Sequence, residues 1–355
     1  MKHWQETGQI VERLVRLTGD GRRSALATVT RIVGSAYRRP GAKLLIEDGG
    51  AMHGGVSGGC LEEDVRQIGL RVIESGLARL RHYATGDDED KVWGLGLGCN
   101  GEVDVVIQPV APDSVATWTR LADLLAGDAP IALAYPLQEG APGGVTVVVE
   151  SGRWAGPADA AIETAAHEAL RARRSGWTGA GGRTVFVEVL TPPPRLLVCG
   201  AGDDARPLAA FAAATGFRVA VADHRPAYLT AERFPGARTL LPMRPTDDAV
   251  LPSDRDTYAV VMTHSLDRDT EWVRRLLGTD APYIGLLGPR ARTEGILSKL
   301  GAAGSDRVFG PVGLDLGADG PEQVAVSIVA ELLSVWSGRE LRHLREREAT
   351  VHAER

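Results

Sequence analysis

Apolar positions recur along the chain with two spacings, and the change from one to the other marks its elements. From Glu6 to Leu17 the residues Ile10, Val11, Leu14, Val15 and Leu17 follow helical spacing, which predicts an amphipathic helix stopped by Gly19-Asp20-Gly21. Ser24 to Val33 and Lys43 to Ile46 are rich in β-branched and small apolar residues, and Asp48-Gly49-Gly50 before Met52 reads as a hairpin turn. In Cys60 to Ser75 the apolar Leu61, Val65, Ile68 and Val72 return to helical spacing, with Glu62, Glu63 and Asp64 in the first turn. A glycine-rich loop, Gly54 to Gly59, therefore opens a helix. Strands are predicted at Arg79 to Ala84, Val103 to Pro109, Ile131 to Tyr135 and Val145 to Glu150, and a helix at Asp113 to Leu125. An Ala-rich helix at Ala158 to Arg173 and a strand at Thr184 to Leu190 complete an N-terminal α/β domain, residues 1–190, with a mixed sheet.

Thr191-Pro192-Pro193-Pro194 then forms a linker, residues 191–194, because successive prolines neither continue a helix nor pair within a sheet. Over residues 195–337 strands at Arg195 to Cys199, Arg218 to Ala222, Ala259 to Thr263 and Tyr283 to Leu287 alternate with helices at Arg206 to Thr215 and Thr270 to Leu277. That alternation predicts a C-terminal Rossmann-like domain with a parallel sheet. Its last helix starts at Asp319-Gly320-Pro321-Glu322, with Asp319 as cap and Pro321 in the first turn, and runs to Trp336. Residues 338–355 form a charged tail.

With 355 residues, 44% of them hydrophobic and 24% charged, the chain has material for two cores, and disordered and fibrous classes are excluded. A net charge of −6 gives no global field to gather nucleic acid or an anionic membrane. No run reaches the ~18 apolar residues of a membrane helix, and Met1-Lys2-His3-Trp4-Gln5-Glu6 lacks the apolar stretch of a secretory signal. The expectation is a cytoplasmic protein that partners neither nucleic acid nor membrane. Cys60, Cys99 and Cys199 are too few and too far apart for a disulfide framework, so any role they have is at a site.

Three regions carry candidate chemistry. The first is the glycine loop with Cys60: its glycines permit close approach, Ser57 can cap the helix, and a thiol at a helix N-terminus is favoured as thiolate. The alternative is a tight turn with Cys60 as a small buried hydrophobe. Leu97-Gly98-Cys99-Asn100-Gly101 is a second glycine-flanked cysteine in the same domain, so Cys60 and Cys99 together suggest a thiol site. The second region, Ser35 to Lys43, gathers Tyr37, Arg38, Arg39 and Lys43, which can clamp a phosphate and stack on a heterocycle, or simply form a solvated basic loop. The third is Gly200-Ala201-Gly202-Asp203-Asp204-Ala205, a strand running into Gly-x-Gly-x-x-Ala and a helix, with Asp223 ending the next strand where an NAD-type site hydrogen-bonds ribose. Asp203 and Asp204 oppose a phosphate there, or one of them caps the helix. His264, Arg290 and Arg292 follow later strand ends and are expected in the same crevice, or His264 simply caps the next helix.

These motifs in their order resemble the XdhC/CoxI family of molybdenum hydroxylase accessory proteins. The resemblance rests on Gly34, Ser35, Arg38, Gly41 and Ala42; on Gly54, Gly55, Gly58, Gly59, Leu61 and Glu62; and on Leu97 to Gly101. In the C-terminal half it rests on Gly200 to Gly202, Thr263-His264, Gly285 to Gly288, Gly313 to Gly317, Pro321-Glu322 and Ala325 to Ser327. Asp203 and Asp204 depart from the pattern, which expects histidine and small apolar residues there. The resemblance implies a molybdenum cofactor (molybdopterin) chaperone that protects the cofactor, supports its sulfuration by a cysteine desulfurase and delivers it to a client such as xanthine dehydrogenase. On that reading Arg38, Arg39 and Ser57, Gly58 and Gly59 cradle the phosphate, and Cys60 and Cys99 handle molybdenum or persulfide. Gly200, Gly202, Asp223, His264 and Arg290 then hold a nucleotide-like portion, NAD(P) or a regulatory ligand. A homodimer would shield a labile ligand. Two other readings are open: an NAD(P)-dependent oxidoreductase with His264 as acid/base, and a redox or nucleotide sensor without catalysis.

Overall fold

A computed structural model describes residues 2–34, 38–85, 101–137, 139–251 and 253–346. The chain divides into two compact units, with the boundary between Pro192 and Pro193 in the proline run.

The N-terminal unit opens with α1 (Lys2–Gly19) and the hairpin strands β1 (Ser24–Gly34), β2 (Lys43–Glu47) and β3 (Met52–Gly54). Helix α2 (Glu62–Ser75), strands β4 (Arg79–Thr85) and β5 (Gly101–Val110) and helix α3 (Val115–Ala126) follow. Then come β6 (Ile131–Leu137), β7 (Thr146–Val149), β8 (Gly152–Ala155), α4 (Ala160–Ala172), β9 (Gly176–Ala180) and β10 (Arg183–Leu190). The α/β class is as expected, but the single mixed sheet resolves into two five-stranded sheets, ordered β3-β2-β1-β5-β4 and β8-β7-β6-β10-β9. Every described pair in both is antiparallel. The helices mislead because α2 carries the chain from one edge of the first sheet to the other, so a strand–helix–strand succession here joins no adjacent parallel strands. Short β8 and β9, each broken by glycine, carry too weak a pattern to be read.

Alternation along the strands builds three apolar layers. Ala25, Ala27, Val29, Leu44 and Ile46 pack under Val65, Ile68 and Val72 of α2. Ala132, Ala134, Val185 and Val187 pack under Ile162, Ala166 and Leu170 of α4. The remaining faces enclose α1 and α3 in one core, Leu26 and Leu45 from the first sheet and Tyr135, Phe186 and Leu190 from the second meeting Val11, Leu14 and Leu121. One ion pair sits between the sheets: Lys43 alternates inward with Leu45, Glu188 with Phe186, and Lys43 Nζ donates to both Glu188 oxygens at 2.6 and 2.7 Å. The Tyr135 hydroxyl donates to Glu188 at 3.0 Å, and His3 Nε2 lies 2.5 Å from it. Burial opposes the Glu188 charge, but Lys43 and His3 outweigh it and hold the carboxyl at about 2.

The C-terminal unit contains β11 (Arg195–Cys199), α5 (Ala205–Thr215), β12 (Arg218–Asp223), β13 (Ala237–Pro242), β14 (Thr257–Val261), α6 (Leu266–Leu277), β15 (Tyr283–Leu286), α7 (Arg290–Leu300), β16 (Val308–Phe309) and α8 (Pro321–Ser337). Its six strands are parallel in the order β13-β12-β11-β14-β15-β16, the doubly wound Rossmann arrangement. Leu208 and Ala212 of α5 with Ile328 and Leu332 of α8 cover one face. Trp272, Val273 and Leu276 of α6 with Ile296 of α7 cover the other. Helix α8 is capped by Gly320 rather than Asp319. The Asp319 amide donates to the Gln323 side chain, so the reciprocal contact lies one residue off the expected frame.

Candidate functional site

In the N-terminal unit the chain turns from β3 into α2 through Gly54 to Gly59, and the loop closes on Glu62. Its carboxylate accepts the amides of Val56 at 3.2 Å and Ser57 at 2.8 Å, and the Ser57 hydroxyl as well. Burial works against the Glu62 charge, yet these Ser57 and Val56 bonds leave its pKa below the ordinary carboxylate value. Ser57 Oγ in turn accepts the amides of Gly59 and Leu61, each at 3.1 Å. Leu61, not Ser57, is the residue that caps α2, and it does so without a side-chain bond. The amides of Val56, Ser57, Gly59 and Leu61 are thereby bonded within the loop itself. In the sequence Glu62 ends the loop motif and is one of three acidic first-turn residues, but nothing there points to its partners, which lie five and six positions upstream.

What the loop leaves open is sulfur. Gly58 and Gly59 are exposed, Cys60 is half-buried, and its Sγ donates to Ser57 Oγ at 3.4 Å. Cys60 packs against the core beneath α2, as do Ile32 and Tyr83, and the Tyr83 hydroxyl donates to Asp64 of α2 at 2.6 Å. Gly34 and Gly101 pair at one end of the first sheet. Cys99, two residues before Gly101, lies outside the described residues, as do Ser35, Tyr37 and the rest of Leu97 to Asn100.

Arg38 reaches the loop. Its Nη2 and a Glu62 oxygen both lie 3.3 Å from where a Cβ on Gly55 would stand, so any larger residue there would press on both side chains. Its Nη1 donates to both oxygens of Glu6 on α1, at 3.0 and 3.1 Å. Arg39 is exposed. Lys43 is withdrawn from the basic segment altogether, because Glu188 holds it in the core. That carboxylate was legible as an inward position on an alternating strand, between Phe186 and Leu190, but its partner was not.

In the C-terminal unit Gly200 and Gly202 follow β11 at the point where strand order reverses. Gly200 sits at φ +121°, and a Cβ there would stand 2.6 Å from the Met262 carbonyl, so it serves the close approach of β11 and β14. Asp223 is spent on the fold: it accepts the Ala201 amide at 2.8 Å and the Arg225 guanidinium at 2.9 Å to each oxygen. Burial opposes its charge, but Arg225 and the Ala201 amide bring it down to about 2. Asp203 pairs with Arg233 at 3.0 Å, and Asp204 lies 3.2 Å from His264 Nε2. His264 adopts φ 56°, a left-handed conformation rare outside glycine, and its ring is within 3.9 Å of the position a Gly202 Cβ would take. Arg290 is exposed, and Arg292 ties to Asp269, which also holds Thr263. The residues at this turn do not fit a dinucleotide, since the carboxylate that would bind ribose is already saturated and two more stand where pyrophosphate would lie. Cys199 is fully buried beneath it, and burial pushes its thiol pKa up, with Asp269 adding to the effect.

Among the described residues no three His, Cys, Asp or Glu side chains converge to hold a metal ion, and no helix is long and apolar enough to cross a membrane. The class so defined is a two-unit α/β protein, one unit carrying a half-buried thiol on a self-closed glycine loop and the other a Rossmann sheet with an acidic turn. Residues 17–84 match the family described as "XdhC and CoxI family", and residues 196–332 the one described as "XdhC Rossmann domain". The chain is 33% identical over 330 residues, 92% of its length and 97% of the relative's, to a Bacillus subtilis (strain 168) protein named as a probable xanthine dehydrogenase subunit. It belongs to the XdhC and CoxI family. It is also 25% identical over 351 residues, 94% of its length and 93% of the relative's, to the Escherichia coli (strain K12) "Molybdenum cofactor insertion chaperone PaoD". A solved structure titled as a xanthine dehydrogenase from Bacillus halodurans superposes with a TM-score of 0.78 at 29% identity, covering 93% of this chain and 96% of that one.

Proposed function

We propose that this chain binds molybdenum cofactor through its N-terminal unit, keeps it for sulfuration by a cysteine desulfurase, and hands it to a xanthine dehydrogenase-type hydroxylase. The observation that carries the reading is Cys60, a half-buried thiol at the exposed glycine edge of a loop whose shape is fixed from inside by Glu62. A rigid loop presents a donor at low entropic cost, and thiol sulfur is the side-chain donor best matched to a soft metal–sulfur group. The likeness to PaoD, over nearly the whole of both chains, supports the same ligand.

When bound, the cofactor supplies the redox-active molybdenum of the client's chemistry. The chain's own residues hold and shield it. Cys60 offers sulfur, Ser57 orients that sulfur through its hydroxyl, and Gly58 and Gly59 let the ligand approach the backbone. Cys99 is the second thiol of this reading. The C-terminal unit contributes through its fold, its glycine turn being closed by Asp223. Anaerobic reconstitution of a cofactor-free hydroxylase tests the proposal. Activation by cofactor plus this chain should exceed activation by cofactor alone, and Cys60→Ala should remove most of the gain. Equal activation with and without the chain would overturn it.

A further inference from the structure

We propose that a phosphate group is bound beside the loop rather than within it, in a cleft walled by α1. The inference rests on the carrier reading for the identity of the ligand, a phosphorylated pterin, but its geometry stands apart from that reading. A cleft of about 500 Å³ runs between α1, the β2–β3 hairpin and Arg38, and its lining includes Glu6, Thr7, Arg13, Arg16 and Arg38. It is continuous with the glycine loop through Gly54, which also lines it.

The charges in this cleft are matched one by one, save one. Arg13 gives its Nε and Nη2 to Glu47 at 2.9 and 2.7 Å, which fixes the guanidinium while its Nη1 makes no bond among the described residues. Arg38 is fixed by Glu6, whose carboxylate also lines the cleft and is neutralised there. Arg16 lies one helical turn beyond Arg13 on the same face of α1, and its guanidinium has no hydrogen-bond or ion-pair partner among the described residues. Two arginines are thus pre-positioned by carboxylates, and a third brings an unmatched charge into the same concavity. Thr7 adds a second, independent sign of a missing partner: it is 1% exposed, lines the cleft, and its hydroxyl makes no hydrogen bond among the described residues. A buried hydroxyl without a partner is costly unless something fills that role.

The Nη1 of Arg13, held in place by Glu47, and the whole guanidinium of Arg16 remain to donate, which suits a phosphate monoester, whose three terminal oxygens accept such bonds. Within the adjoining loop Glu62 already takes the amides of Val56 and Ser57, and Ser57 Oγ those of Gly59 and Leu61, which leaves few loop amides for that group. The ligand's phosphate in the α1 cleft and its sulfur-bearing end toward Cys60 would then divide the work between two neighbouring parts of one unit.

Full-length protein is tested anaerobically with two probes, molybdenum cofactor and inorganic phosphate, in wild type, Arg16→Ala and Arg16→Glu. Arg16 is exposed, so neither change should disturb folding, and an unchanged circular dichroism melt checks this. Cofactor affinity should fall roughly tenfold in Arg16→Ala and at least a hundredfold in Arg16→Glu, and inorganic phosphate should compete with the cofactor in wild type alone. Undiminished cofactor binding in Arg16→Glu, with no competition by phosphate, would overturn the cleft and leave the carrier reading intact. Phosphate binding that is lost in Arg16→Glu, without cofactor binding in any form, would keep the cleft and overturn the carrier reading. Absence of binding by either probe in wild type would overturn both.

Discussion

The two glycine turns, one in each unit, both end up around a carboxylate of the chain itself, Glu62 in the first and Asp223 in the second. They differ in what that closure leaves exposed. Around Glu62 the outer edge is bare glycine and a half-buried Cys60. Around Asp223 the nearby thiol, Cys199, is buried in the sheet, and the outer edge carries Asp203, Asp204 and His264. A glycine-rich strand-to-helix turn therefore reports close approach of backbone to something, and nearby carboxylates decide whether that something is a ligand or the protein.

The glycines give the strongest way to break the comparison. Gly200→Ala should cost the C-terminal unit at least about 3 kcal/mol, because the new Cβ meets the Met262 carbonyl at 2.6 Å at a φ of +121°. Urea denaturation followed by fluorescence reads this as a lowered midpoint; an unchanged midpoint would show that β11 and β14 can part at no cost.

Acid gives a somewhat smaller effect, shared by both units. Glu188 and Asp223 are held at about 2, against ordinary values of 4.5 and 3.8. A carboxyl depressed by folding adds stability above its unfolded pKa and loses it as pH falls toward the folded one. Both groups should thus stabilise the fold near neutrality, Asp223 by about 2 kcal/mol, with that stability withdrawn between roughly pH 5 and pH 2. In Asp223→Asn the acid loss should shrink for the C-terminal unit and persist for the N-terminal one, as followed by denaturation midpoints against pH. An undiminished acid loss in that variant would mean that Asp223 is not the group in question.

The smallest effect belongs to Gly59→Ala. Nothing stands within 4 Å of its missing Cβ, so only the positive φ of +118° resists, at about 1–2 kcal/mol. A loss as large as that of Gly200→Ala would make the two turns equivalent in packing and remove the contrast.

Much of the fold was legible because long periodic segments declare themselves: α1, α2, β1, β5 and the β11–α5–β12 unit lie within a few residues of their expected places. The separation of two antiparallel sheets was not, since pairing partners such as β1 with β5 are remote in sequence and strand direction leaves no mark on local composition. The loop and Cys60 were visible as a motif, and Arg38 as a neighbouring cation. Their geometry was hidden in long-range polar pairs: Lys43 with Glu188, Arg38 with Glu6, Arg13 with Glu47. Glu6 and Glu47 look like ordinary surface charges until the fold brings them close, and Glu188, though an inward position on its strand, does not announce Lys43 as its partner.

The central claim, that the ligand belongs to the Cys60 loop and not to the Rossmann turn, is tested most directly by molybdenum content after anaerobic incubation with cofactor and desalting. Wild type and Asp223→Asn should each retain close to one molybdenum per chain, and Cys60→Ala should retain little. Retention by Cys60→Ala together with loss in Asp223→Asn would contradict the account and move the site to the C-terminal unit.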